Sequence, residues 1–298
     1  MVFKFSSGNT WKMKSEYKKQ KFDIDFEALK KKELEILQNF IFCCEKMNLT
    51  YYIGFGTLLG AIRHKGFIPW DDDVDVCMPR GDYDRFVKEA SEYLPENYFI
   101  QTMESDPKYA LNFAKLRDSN TALFEKHVLD VDINHGVFID VFPLDGYIKG
   151  QNKVLDLRVK DKPVFEEADT NAFSNALSGF GKKFVYKLGE TIPNKLKTDI
   201  SKMSVPKDNP KFEDCEYVAC MVDNFYIMPF KRDFLGKGVK VDFENLKVNA
   251  PENYDEYLKV LYGDYMKLPP EDQRENHHNF HLADVNKSFR EYQEKIKL

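Results

Sequence analysis

A single charged residue restricts the folds open to this chain more than any other feature. In Gly136-Val137-Phe138-Ile139-Asp140-Val141-Phe142-Pro143, Asp140 interrupts a run that otherwise reads as an apolar strand. An unpaired carboxylate in such surroundings is strongly unfavourable, so the fold must bring Asp140 a partner from elsewhere in the chain.

The segment Asp71-Asp72-Asp73-Val74-Asp75-Val76-Cys77-Met78 offers one. Its alternation predicts a strand with Asp71, Asp73 and Asp75 on one face and Asp72, Val74 and Val76 on the other. Carboxylates so placed repel unless a cation sits between them. Oxygen-rich sites of this kind suit Mg2+ or Mn2+, which also grip substrate phosphates. An exposed acidic turn is the plain alternative, but Ile68, Val74, Val76 and Met78 set these acids at the rim of a core. A metal shared by Asp73, Asp75 and Asp140 satisfies both segments, with Asp71 as an alternative ligand. Asp145, in Leu144-Asp145-Gly146, reads as a turn residue.

Helical spacing over Phe26 to Met47 predicts a helix with one buried face, ended by Asn48. A short strand at Tyr51 to Gly54 then leads through Phe55-Gly56-Thr57 into a helix from Leu58. Such a turn leaves backbone N–H groups at the helix start, where a phosphate can bind. A further helix is read at Gly81 to Tyr93. Strands are read at Tyr98 to Gln101, Asn112 to Leu116, Thr121 to Phe124, Val137 to Phe142, Tyr217 to Val222 and Val239 to Phe243, and a helix at Tyr254 to Tyr262. The stretch from Gln151 to about Val205 is polar and helical in character. The expected fold is α+β, a mixed sheet flanked by helices. Residues 24–149 are read as the core that carries the acids, 150–210 as a helical insertion, and 211–298 as completing the same domain.

A net charge of -5 gives no basic field for nucleic acid. The five cysteines follow no metal-ligand spacing and read as small hydrophobes in a reducing compartment. Residues 1 to 21 hold no apolar run long enough for a signal peptide or membrane span, so the chain reads as cytoplasmic. Lysines at 12, 14, 18, 19, 21, 30, 31 and 32 make the front end basic, either as a solvated face or as a weak contact with the inner face of an anionic membrane.

Gly56-Thr57, Asp73-Val74-Asp75-Val76 and Asp140 have the outline of the nucleotidyltransferase superfamily signature. The longer stretch from Gly56 through Arg63, Trp70 and Asp75, continuing as Met78-Pro79-Arg80-Gly81-Asp82-Tyr83, closely resembles the core motif of the LicD family. That family includes bacterial phosphocholine transferases and, more distantly, fukutin-related ribitol-phosphate transferases. Gly136 to Asp145, and Tyr262 to Pro270 with Arg274, resemble two further blocks. The likeness runs from about residue 26 to 282 and is weakest between 150 and 210.

The resemblance implies a nucleotidyltransferase-like fold and transfer of phosphocholine, or a related phospho-alcohol, from CDP-choline or another CDP-alcohol, releasing CMP. The implied acceptor is a lipid-linked glycan precursor of teichoic acid, lipooligosaccharide or capsule. Asp73 and Asp75 would hold magnesium against the donor diphosphate, with Asp140 as a further ligand or as the base. Gly56 and Thr57 would face the phosphates. Arg63 pairs with phosphate or with the acids, and His64 reads as structural. Lys115 and Arg117 share a strand face, either toward the diphosphate or as a solvated edge. Trp70, Tyr83, Tyr109 and Phe142 are the aromatic candidates for a choline head group. His278 and His281 resemble family positions and are possible contacts. A true nucleotidyltransferase, releasing pyrophosphate, and a non-catalytic scaffold are the competing classes.

Overall fold

The computed structural model describes residues 22–151, 210–221, 227–274 and 280–297. The 150–210 insertion, the lysines from 12 to 21, and His278 therefore lie almost wholly outside the described residues.

Helix α1 (Phe26–Met47) starts where Asp25 accepts a hydrogen bond from the Ala28 N–H at 3.0 Å, and ends at Asn48, whose left-handed backbone (φ 51°) closes the last turn. Its buried stripe of Leu29, Ile36, Leu37 and Phe40 is the one its spacing predicts. Strand β1 (Tyr52–Ile53) leads into α2 (Phe55–His64), followed by β2 (Asp75–Pro79), α3 (Arg80–Glu89), β3 (Tyr98–Gln101), β4 (Ala114–Asp118), β5 (Ala122–Glu125) and β6 (Val137–Tyr147). After residue 210 come β7 (Tyr217–Ala219), β8 (Phe230–Lys231), β9 (Val239–Phe243), β10 (Leu246–Ala250), α4 (Tyr254–Tyr262), β11 (Phe280–Asp284) and α5 (Phe289–Lys297).

The main sheet runs β1-β2-β6-β4-β3, with β7 on the far part of β6 and β8 beyond it. β2 and β6 are parallel and the other pairings antiparallel, so the sheet is mixed and the fold α+β. Because side chains alternate, the two faces differ in chemistry. Val76, Met78, Leu116, Ile139 and Val141 form the apolar face, and α1 lies over it, fixed by Asn39 Nδ2 to the Tyr98 hydroxyl (3.0 Å) and by Lys32 to Asp118 (3.6 Å). The opposite face carries Asp75, Asp140 and Lys115.

The predicted strand over Asp71–Met78 begins only at Asp75. β1 is two residues long and pairs no further back than Val76, so residues 71–74 have no ladder on that side. The Asp75 N–H is instead taken by Thr57 Oγ1 at 2.8 Å, and the shared strand face expected for Asp71 and Asp73 does not form. β6 runs well past Phe142, which moves Asp145 from the expected turn into a strand, opposite Ala219. β10, β11 and α5 had no counterpart in the sequence reading.

The β9–β10 hairpin clamps the loop after α2. Glu244 donates its N–H to the Lys65 carbonyl (2.8 Å) and accepts from the Phe67 N–H (3.0 Å). A side chain at Gly66 would place its first carbon 1.9 Å from Glu244 Oε1, so it would push this carboxylate off the Phe67 N–H.

β5 and β11 form a separate two-stranded sheet backed by α5. Beside it His135 is buried, stacked on Phe124 at 4.3 Å, with Nε2 2.9 Å from the Val131 carbonyl. Burial lowers its pKa from 6.5 to about 4, outweighing the Val131 hydrogen bond, which favours the charged form. The unfolded chain thus takes up a proton that the folded chain refuses. Stability is full above pH 6.5 and falls toward pH 4, by roughly 3 kcal/mol from this group. Urea unfolding at pH 7 and pH 4.5 should show a smaller acid loss in His135→Gln; an undiminished loss would assign it to other groups.

Candidate active site

Three neighbouring strands place the expected residues in one row. Asp75 on β2 is in register with Asp140 on β6, Asp140 with Lys115 on β4, and Lys115 with Gln101 on β3. Lys115 Nζ lies 2.7 Å from Asp140 Oδ1, and both side chains are largely buried. The contact is off the hydrogen-bonding axis: among the described residues Asp140 Oδ1 has its charge balanced but no aligned donor. Burial pushes the pKa of Asp75 well up, and Asp73, Asp140 and Asp71 push it further, against Lys115. Asp75 therefore feels the three other acids, although only it and Asp140 stand on strands.

Asp71 leans on the first turn of α2, where a side chain at Gly56 would meet Asp71 Oδ2 at 2.7 Å. Unpaired N–H groups at a helix start favour a negative charge there. Among the described residues no three carboxylate, imidazole or thiol groups converge tightly enough to enclose a cation. Magnesium, however, is commonly held by one or two carboxylates plus substrate phosphates, without an all-protein cage. The in-register pair Asp75 and Asp140, with one carboxylate oxygen lacking an aligned donor and a repulsion that raises the pKa of Asp75, fits that kind of site.

The helix starts at Phe55, so Gly56 and Thr57 lie inside its first turn and not before it, and the Thr57 hydroxyl is already engaged with Asp75. Arg63 donates to the Tyr265 carbonyl at 2.8 Å and has no carboxylate ion partner among the described residues. Its pKa is lowered by burial first and also by the nearby Arg274, with Tyr262 opposing. Tyr262 in turn has its pKa raised by burial and then by Asp75, Asp71 and Asp73. It thus couples the acids to Arg63. His64 meets the edge of Trp70 at 6.2 Å, and the Arg274 guanidinium lies 5.7 Å from the centre of the same ring. Arg63 and Arg274 so make a basic flank next to the acids, while burial and then Arg63 disfavour the charged form of His64.

Arg117 shares the sheet face of Lys115 but is 1% exposed. It donates to Gln101 Oε1 and to the Gly136 carbonyl at 2.6 Å, and stacks over Phe138 at 4.5 Å. It braces the row from behind and is not presented to a ligand. His281 sits at an irregularity of β11, in the two-stranded sheet and not the main one, with its ring edge-on to Phe22 at 5.3 Å.

Three residues missing from the candidate set belong here. Glu33 on α1 is 1% exposed, and its Oε2 has no hydrogen-bond partner among the described residues. Burial raises its pKa well above normal, with Asp73, Asp72 and Asp71 adding to the effect. Its signal was visible: Glu33 interrupts the apolar stripe between Leu29 and Leu37. Arg274 stood in a family-like block without an assigned partner. Phe55 has a left-handed backbone (φ 43°), which costs a phenylalanine about 1–3 kcal/mol and has no signature in sequence.

The family described as LicD/FKTN/FKRP, nucleotidyltransferase domain, matches residues 48–166. The chain is 30% identical over 254 residues to the lipopolysaccharide cholinephosphotransferase LicD of Haemophilus influenzae, covering 82% of this chain and 92% of that protein. Shorter likenesses join it to uncharacterized proteins of Rickettsia typhi (41% over 56 residues, 19% of this chain and 18% of the other) and Rickettsia prowazekii (61% over 37 residues, 12% and 14%). These two are too short to bear on more than a segment. The Haemophilus match spans almost the whole of its relative, and on that ground the chain belongs to the LicD family.

Proposed function

We propose that this protein transfers phosphocholine, or a related phospho-alcohol, from a CDP-alcohol to a hydroxyl of a cell-surface glycan precursor, with CMP as leaving group. The observation that carries this reading is the row Asp75–Asp140–Lys115 in a chain aligned over most of its length with a cholinephosphotransferase. Asp75 and Asp140 would hold Mg2+ (or Mn2+), with Asp73 adding to the same negative field, and the cation when bound would neutralise charge on the donor diphosphate. Lys115 balances and positions Asp140. Arg63 and Arg274 would face the phosphates from the basic flank, with Gly56 and Thr57 in the first turn of α2 as further contacts. Arg117 acts through Gln101 and Phe138. The acceptor oxygen attacks phosphorus, the bond to the CMP oxygen breaks, and the hydroxyl proton passes to a carboxylate of the cluster.

Among the described residues no helix is long and apolar enough to cross a membrane. The setting proposed is the cytoplasm, with peripheral contact at the inner membrane face where a lipid-linked acceptor would be met.

The test is magnesium-dependent CMP release from CDP-choline, CDP-ethanolamine, CDP-ribitol and CDP-glycerol, with a glycan extract as acceptor. Release from one donor is expected. Pyrophosphate release from CTP, with no CMP from any CDP-alcohol, would replace this reading with nucleotidyl transfer.

A further inference from the structure

The aromatic residues nearest the acids are not equivalent. Tyr109 is buried in a separate apolar cluster, Tyr83 lies beneath Arg80, and Trp70 has Arg274 over its ring. Phe142 differs from all three. It follows Asp140 by two positions on β6, hence on the same face, and pairs with Cys77 as Asp140 pairs with Asp75. Its half-buried ring meets Phe55 at 5.4 Å with planes 79° apart, and Phe113 at 4.5 Å with planes 39° apart. Phe55 and Phe113 are half-buried as well, so the three rings form a corner beside the carboxylate row. The left-handed backbone at Phe55 is unfavourable for such a residue, and it persists where its ring meets Phe142.

The same wall already stabilises a cation. Lys115 Nζ lies 3.4 Å from the centre of the Phe138 ring and 5.7 Å from that of Phe113. Among the described residues no basic side chain stands over Phe55 or Phe142. These half-buried rings stand beside a cluster of carboxylates, and their electron-rich faces complement a further positive charge.

We propose that Phe55, Phe113 and Phe142 form the subsite for the quaternary ammonium head of the donor's alcohol, and so decide which CDP-alcohol is used. This rests on the donor reading above. A trimethylammonium group has no hydrogen to donate, so ring faces and nearby negative charge are what can recognise it. A polyol such as glycerol or ribitol needs hydrogen-bond partners, which phenyl rings do not supply.

Calorimetric titration of the full chain with CDP-choline, CDP-glycerol and CMP, in magnesium and without acceptor, tests this. Wild type should prefer CDP-choline. Phe142→Leu, which keeps the apolar bulk and removes the ring, should weaken CDP-choline by about ten-fold and the other two by less than about two-fold. Phe142→Tyr, which keeps the ring, should bind CDP-choline like wild type, and an unchanged melting temperature shows that each variant is folded. Equal weakening of all three ligands would mean the rings stack on cytosine, and undiminished CDP-choline binding would mean they read nothing; either overturns the proposal while leaving the donor reading intact. A wild type that binds no CDP-alcohol overturns both.

Discussion

Asp75→Asn should abolish transfer while making the metal-free protein more stable. CMP release is expected to fall by at least about three orders of magnitude, since the contact proposed between Asp75 and a cation on the donor diphosphate is worth several kcal/mol and each 1.36 kcal/mol is tenfold in rate. The stability effect has the opposite sign for a reason visible in the site. Asp75 is 9% exposed, and burial, then Asp73, Asp140 and Asp71, hold its pKa well above 3.8. A carboxyl with a raised folded pKa binds its proton more tightly when folded. Its contribution is therefore favourable in acid, declines as pH rises above 3.8, and is a penalty once the group is ionised. Asparagine keeps the shape and removes that penalty. Melting temperatures in EDTA, measured beside CMP release, check both halves: a variant that is inactive but melts lower would show that Asp75 is needed for folding, and an active one would remove it from the chemistry.

Arg80→Met should be the most destabilising single change outside the apolar core. Asp145 is 3% exposed, and Arg80 grips it with two bonds, Nε and Nη2 each at 2.8 Å. Burial disfavours the guanidinium charge, but Asp145 outweighs it and raises the pKa of Arg80 overall. Removing Arg80 leaves a buried carboxylate without its counter-charge, at a cost of about 3–5 kcal/mol. The second contact of Arg80, to the exposed Asp84 at 3.4 Å, adds little. Urea midpoints should fall sharply in Arg80→Met and recover largely in Arg80→Met/Asp145→Asn, where the stranded charge is gone. A double variant as unstable as the single one would place the loss in packing around Tyr83, over which Arg80 also lies.

Local regularities carried much of the fold into the sequence. The buried stripe of α1, the strands β3 and β9 and the helix α4 appear where spacing predicts them, because each repeats a period its own residues enforce. β10, β11 and α5 did not stand out: two are five-residue strands, and α5 is nine residues with few apolar positions. The acids were also legible. An aspartate inside Val137–Phe142 is conspicuous whatever surrounds it, because burying a charge is costly.

What the sequence by itself determined, then, is the set of chemical groups that demand explanation, the family they resemble, and the elements that carry them. Only the tertiary structure decided how those groups meet. Asp71 and Asp73 left the expected strand because β1 ends too soon to pair with them. Asp140 gained Lys115 as well as Asp75, Asp145 gained Arg80, and Arg63 gained Arg274 as a neighbour. Lys115 and Arg117, which alternation makes equivalent, diverged: one balances the acid row and the other is consumed by Gln101 and Gly136. Strand register, burial and charge pairing are properties of residues far apart in the chain, and a one-dimensional period carries no information about which distant partner a side chain will face.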